Sequence, residues 1–358
     1  MSCGSIRIGQ VTFRLRALTA AAVMAVVVPG CSLSTSSARS PAPSAATPVP
    51  PKLDEFVRES GWNPQDVWTA TPDPSGHVVA AALKALPSTE RQNPPRVLIH
   101  DLATGKDVGP VELTGPLMAG SGSFGLAYSP DGSTLAVGGA GRVVLLRARD
   151  GTQFQVLVRS PNGGATVRNV AFTPDGSKVV ALVGDELVTW DPGSGELTAH
   201  WSTGKEHPRR LAVSPDGSLV ATGGDTGIVL RRLADGSIAC IGSPGRILGV
   251  AFSPEGHRVA GWGYDGTFRV MDPDCANRAQ WPGKAKVVTE VTFREDGATL
   301  LAAGSDGVLR AWDVATRAVD SSHRLGVKGP FMMHPFDHDR DLLVVDLSTH
   351  SAQIWKAP

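Results

Sequence analysis

Apolar residues come in short, β-favouring runs, such as Val170-Ala171-Phe172 and Val179-Val180-Ala181-Leu182, and turn-forming residues break the chain between them. Past residue 31 no stretch of convincing length keeps the three-and-four spacing of an amphipathic helix. The pattern predicts strands joined by tight turns.

One turn phrase recurs: Ser-Pro-Asp-Gly at Ser129, Thr-Pro-Asp-Gly at Thr173, Ser-Pro-Asp-Gly at Ser214 and Ser-Pro-Glu-Gly at Ser253. Proline presets φ for the second position, the acid can bond nearby backbone, and glycine accepts the positive φ of the turn exit. Weaker copies are read at Arg294-Glu295-Asp296-Gly297, at His334-Pro335-Phe336-Asp337 and at Thr71-Pro72-Asp73-Pro74. Counted from their first residues, the intervals are 58, 44, 41, 39, 41 and 40. A period of this size means a repeat architecture of seven units.

A second landmark keeps the same register: Trp190-Asp191 and Trp312-Asp313, with His100-Asp101, Met271-Asp272, Leu146-Arg147, Arg231-Arg232 and Trp355-Lys356 in the equivalent place. In units two to six it follows the turn phrase by 17 or 18 residues. A middle turn, such as Gly304-Ser305-Asp306-Gly307 or Tyr264-Asp265-Gly266, lies between the two landmarks. A shorter segment such as Glu196 to Trp201 follows, so each unit reads as four antiparallel strands.

With Ala303-Gly304-Ser305-Asp306-Gly307-Val308-Leu309-Arg310-Ala311-Trp312-Asp313 as its best match, the chain resembles the WD-repeat (WD40) β-propeller family from about Leu53 to its end. The resemblance implies an all-β, seven-bladed propeller of four-stranded antiparallel blades. The Gly-His pair that opens many family repeats is missing, which puts their buried His-Asp bonding network in question. Propellers of this family resemble one another in closing the ring with a strand from the other terminus. By that analogy, and from the spacing of fourth strands elsewhere, Leu53 to Arg58 should complete blade seven.

Composition agrees with a folded domain: 41% of residues are apolar, 19% are charged, and 41 Gly and 27 Pro supply the turns. The amino terminus differs. Arg7, Arg14 and Arg16 precede an uncharged run from Ala17 to Val28, which is too short to span a bilayer. These are the marks of a secretory signal. Val28-Pro29-Gly30-Cys31 resembles the bacterial lipobox, which implies lipidation at Cys31, although Pro29 departs from the usual residue. The expected organisation is a signal peptide at 1–31, a Ser/Ala/Pro-rich tether at 32–52 and the propeller at 53–358. The expected address is the extracytoplasmic face of a bacterial membrane.

Loss of residues 1–31 leaves 31 basic against 34 acidic residues, a balance that gives no signal for nucleic acid. Cys240 and Cys275 remain, 35 residues apart rather than one full repeat. Cys240 falls in the fourth strand of one blade and Cys275 just after the third strand of the next, so a bridge and two free thiols both stay open.

Candidate chemistry gathers on the face opposite the Pro-Asp-Gly turns. About a dozen extra residues near Lys84 to Pro95 enlarge the middle loop of unit one. Loops entering the blades carry Arg168, Lys205, Arg209, Arg210, Arg246, Lys284, Lys286 and Lys328, offset by Glu206 and Glu290. Such a rim suits an acidic protein surface or an anionic wall polymer, and solvated loop charge is the bland reading. His334 to Asp341 holds two His and three Asp but reads as a degenerate turn, and no metal or cofactor site is expected.

No nucleophile elbow, zinc-spaced His pair or phosphate loop is present. The expected function is a non-catalytic protein-interaction platform. Some seven-bladed propellers resemble this one and act as lactonases or cofactor-dependent dehydrogenases. That alternative needs carboxylates or His at the channel mouth, where Asp66, His207, Glu290 and the Arg residues are at hand, and its mark is Arg168, His207 and Glu290 converging in a deep pocket.

Overall fold

The computed structural model describes residues 57–58, 67–83, 96–113, 125–159, 165–325, 331–336, 339, 341–346 and 348–356. Cys31, the 32–52 tether, Asp66, the 84–95 loop and Lys328 lie outside them.

Seven four-stranded antiparallel sheets form the blades of a propeller. Blade one holds Val67–Pro72, Val78–Leu83, Arg96–Asp101 and Lys106–Glu112, and blades two to six repeat that order up to Val319–Arg324. Blade seven holds Phe331–Phe336, Asp341–Asp346 and Ser351–Lys356, and Val57–Arg58 adds the fourth strand. In that pairing Val57 faces Lys356 and Arg58 faces Trp355. The first strands of neighbouring blades touch all round, from Val67–Pro72 through to Phe331–Phe336, and so line the central channel.

The turn phrase has a repeated bonding pattern. Ser129 Oγ donates to Asp131 Oδ1 at 2.5 Å and accepts from Thr134 N at 2.9 Å. Thr173 and Ser214 repeat it with Asp175 and Asp216. Bonded this way, the Asp175 carboxyl is pulled down to about 2, first by the Thr173 hydroxyl. Gly132, Gly176 and Gly217 take φ of 70°, 70° and 72°, the left-handed region where a Cβ is costly.

The same pattern corrects the register of the two degenerate copies. In blade one, Asp73 N bonds Val78 O as Ser129 N bonds Thr134 O, so the turn is Asp73-Pro74-Ser75-Gly76 and Thr71-Pro72 belongs to the strand. The Asp73 carboxylate does the work of the hydroxyl, accepting from His77 N and Val78 N at 2.9 and 2.7 Å. In blade seven the strand runs through Phe336, and Asp339, at φ 62°, occupies the place of Gly297, also at 62°. Aspartate tolerates that region better than most residues do. His334 is therefore a strand residue, paired with Leu343, and not the start of a turn.

The second landmark is inter-blade core. Trp190, Arg231, Met271 and Trp312 face Val179, Val220, Val259 and Leu300 and are all buried. The Asp after the landmark caps the next turn: Asp191 accepts from Gly193 N and Ser194 N, and Asp313 from Thr316 N. Among the described residues Trp190 Nε1 and Trp312 Nε1 are buried with no hydrogen-bond partner, in keeping with the missing Gly-His pair. Blade four uses an ion pair instead: Arg231 Nη1 donates to Glu206 Oε2 at 2.8 Å from 4% exposure. Glu206 sits in the short 3-10 helix Gly204–Glu206 that leads into that blade.

Cys240 and Cys275 are joined by a disulfide, with Cα atoms 5.9 Å apart. The bridge links the fourth strand of blade four, Ile238–Gly242, to the turn after Thr267–Met271 of blade five. An offset of 35 residues suffices because the outer strand of one blade lies beside the third strand of the next.

Candidate functional site

The hairpin registers align the first strands, so the channel can be described ring by ring. Nearest the Pro-Asp-Gly turns, the half-buried inward positions are Thr71, Ala127, Ala171, Ala212, Ala251, Thr292 and His334. Two residues back along each strand lie Thr69, Gly125, Asn169, Arg210, Gly249, Glu290 and Met332. Small side chains dominate because seven strands converge on one axis. His334, Arg210, Glu290, Asn169 and Met332 are the exceptions.

Arg210 Nη2 lies 3.6 Å from Glu290 Oε2, joining blade four to blade six. Blade five contributes Gly249 between them, and a Cβ there would meet the Trp262 ring at 2.0 Å. The glycine therefore makes room for the Trp262 ring. Burial pushes the Glu290 carboxyl up to about 7, against the pull of Arg210 and of the Val291 backbone N–H. Burial pushes His334 down to about 4, and Arg210 adds to that shift. His334 Nε2 is buried with no hydrogen-bond partner among the described residues.

Two adjoining cavities open at the turn end of the channel. One of about 480 Å³ is lined in part by Thr71, Asp73, Tyr128, Phe172 and Glu295. The other, of about 250 Å³, is lined in part by Thr292, His334 and Asp339. Both share Thr71, Pro72, Glu295, Pro335 and Phe336.

The opposite face holds the cations singled out by sequence, and most are tied. Arg168 donates to Gly184 O and Pro208 O and lies 3.6 Å from Asp185. His207 Nδ1 is 3.4 Å from the same Asp185 oxygen. Arg209 and Arg246 converge on Asp225 at 3.7 and 3.3 Å. Both guanidinium groups also lie against the Tyr264 ring, at 5.9 and 5.3 Å from its centroid. Tyr264 itself is 49% exposed. Lys205, Lys284 and Lys286 are exposed at the surface.

The rim is thus less basic than its sequence suggests. Arg210 belongs to the channel rather than the rim, and Glu206 neutralises Arg231 rather than a rim cation. The three residues of the enzyme alternative do not converge: Arg168 and His207 meet on Asp185, while Glu290 is in the channel with Arg210. Tyr264 and His334 were overlooked as site residues because each stands inside a segment that sequence assigned to a turn. The broken Ser-Pro-Asp-Gly register around His334 was the available signal.

The model of the family described as WD domain, G-beta repeat matches residues 194–230, 236–272 and 277–313. Over these three stretches the chain resembles WD40 repeats. Each matched stretch begins at the outer strand of one blade and runs through the three inner strands of the next, so one repeat locks two blades together. Telomerase protein component 1 of Mus musculus is 31% identical over 155 residues, covering 41% of this chain and 6% of that protein. WD repeat-containing protein 1 of Gallus gallus is 27% identical over 223 residues, 56% of this chain and 34% of that protein. An uncharacterized WD repeat-containing protein of Synechocystis sp. is 33% identical over 100 residues, 27% of this chain and 28% of that protein. The chain spans about a third or less of the length of each of these relatives.

Proposed function

We propose that this WD40 propeller is a non-catalytic docking platform for a protein partner, displayed outside the cytoplasm on a lipid anchor at Cys31. The observation that carries the docking reading is Tyr264, an exposed aromatic ring held between Arg209 and Arg246, which Asp225 in turn restrains. Tyrosine and arginine dominate the energetics of protein interfaces, and groups already fixed lose little freedom on binding. The exposed Lys205, Lys284 and Lys286 on the same face favour a partner with an acidic surface. WD-repeat relatives bear on the general role, and a rigid ring presenting many loops provides a wide surface for it.

The Cys240–Cys275 disulfide supports an address in an oxidising compartment, as do the signal-like amino terminus and the lipobox-like residues before Cys31.

Crosslinking on intact cells, comparing the wild type with Tyr264→Ala and Arg246→Ala, tests the platform. One or more crosslinked proteins should be lost from both variants. Unchanged capture rejects the Tyr264 face, and retention on purified cell wall with no protein captured favours the anionic polymer. Metabolic labelling with a fatty acid, abolished in Cys31→Ala, tests the anchor.

A further inference from the structure

A second site lies at the other end of the channel, independent of the Tyr264 face. We propose that the Pro-Asp-Gly mouth binds a small organic ammonium ion, with His334 Nε2 and the Thr71 and Thr292 hydroxyls accepting its N–H groups beside the Glu295 carboxylate.

Shape is the first support. Two cavities of about 480 and 250 Å³ share a wall and open to the turn face. One ring further in, the Arg210–Glu290 pair lies across the channel and forms a floor. Neighbouring cavities of this size suit a small molecule rather than a peptide segment.

Unmet hydrogen-bonding capacity is the second. Among the described residues His334 Nε2, buried at the cavity, has no partner, and neither has Oη of Tyr128, a lining residue that is 9% exposed. A buried polar atom left without a partner costs free energy, which a ligand group can recover. Held neutral by its burial, the His334 imidazole can accept an N–H without repelling a cation.

Charge is the third. Asp73, Glu295 and Asp339 are among the described lining residues, which include no Lys or Arg. Asp131, Asp175 and Asp216 add carboxylates from neighbouring turns, each kept ionised first by the hydroxyl of its own turn. Of the nearby described cations, Arg210 lies 3.6 Å from Glu290, and the buried Arg294, whose Nε and Nη2 have no hydrogen-bond partner among the described residues, lies in the field of Asp339, Asp296 and Asp320. The described lining carboxylates favour a cation over an anion, and Pro72, Pro335, Phe172 and Phe336 offer apolar contact to an alkyl stem. Among the described residues no three His, Cys, Asp or Glu side chains gather to hold a metal ion.

Calorimetric titration of the full chain in detergent with butylammonium, and with butyrate and glucose as comparison probes, tests the site. Saturable binding of butylammonium alone is expected, weakened about tenfold or more in Glu295→Gln and His334→Ala and unchanged in Tyr264→Ala. In the wild type, butylammonium should also shift the His334 imidazole NMR signals, a readout that survives if His334→Ala fails to fold. No saturable butylammonium binding, equal affinity in the wild type and Glu295→Gln, or preferential binding of glucose overturns the proposal.

Discussion

Arg210 and Glu290 meet at 3.6 Å across the channel, although 80 residues and one whole blade separate them along the chain. Burial holds the Glu290 carboxyl at about 7, whereas an ordinary glutamate titrates near 4.5. As the pH climbs between those values, the unfolded chain has released its proton and the folded one has not, so stability falls. Glutamine has no proton to release. Urea denaturation at about pH 4.5 and pH 8 should therefore show the stability of Glu290→Gln, relative to wild type, rising by roughly 3 kcal/mol between the two. A difference that does not change with pH rejects the assignment.

His334 has the opposite sign. Its folded value of about 4 lies below the ordinary 6.5, so between them the unfolded chain binds a proton that the folded one refuses. Stability is then lost as the pH falls from about 6.5 to about 4. His334→Gln should flatten that acid limb in urea titrations, and an acid limb as steep as that of wild type would count against a neutral buried imidazole.

The Cys240–Cys275 bridge closes a 35-residue interval between blades four and five. The chain-entropy argument assigns such a loop about 3–4 kcal/mol. Cys240→Ser should lower the urea midpoint accordingly, and reductant should then have no additional effect. A variant as stable as the oxidised wild type would remove the bridge from the account of stability.

Arg231 is 4% exposed and depends on Glu206 for its counter-charge. Glu206→Gln should cost about 3–5 kcal/mol, since it leaves a buried guanidinium unpaired. The double change Arg231→Trp with Glu206→Gln should recover much of that loss, because Trp190 and Trp312 fill the equivalent register in blades three and six. Calorimetric Tm values for the three proteins decide it, and a single variant as stable as wild type would refute the pairing.

Turns and strands were legible because they depend on residues close in sequence. Ser129 bonds Asp131 two residues on, and Asp191 caps the turn that follows it, so the same local chemistry announces itself each time. The degenerate copies were placed two residues early. Asp73 replaces the hydroxyl with a carboxylate and Asp339 replaces the glycine, and neither resembles the residue whose bond or φ it reproduces. The cationic rim was legible as a list of charges but not as a surface, because Asp185 and Asp225 come from middle turns of blades adjoining the loops they neutralise.

By itself, the sequence determined a seven-unit repeat, four strands to a unit and the face on which each loop emerges, because alternation and turn chemistry act over a few residues. Only the tertiary structure decided that Cys240 reaches Cys275, that Arg210 turns inward to Glu290, and that His334 lies at a cavity rather than in a turn. Closing seven strands around one axis brings side chains from distant repeats within a few ångströms, and no spacing along the chain encodes which of them are long enough to meet.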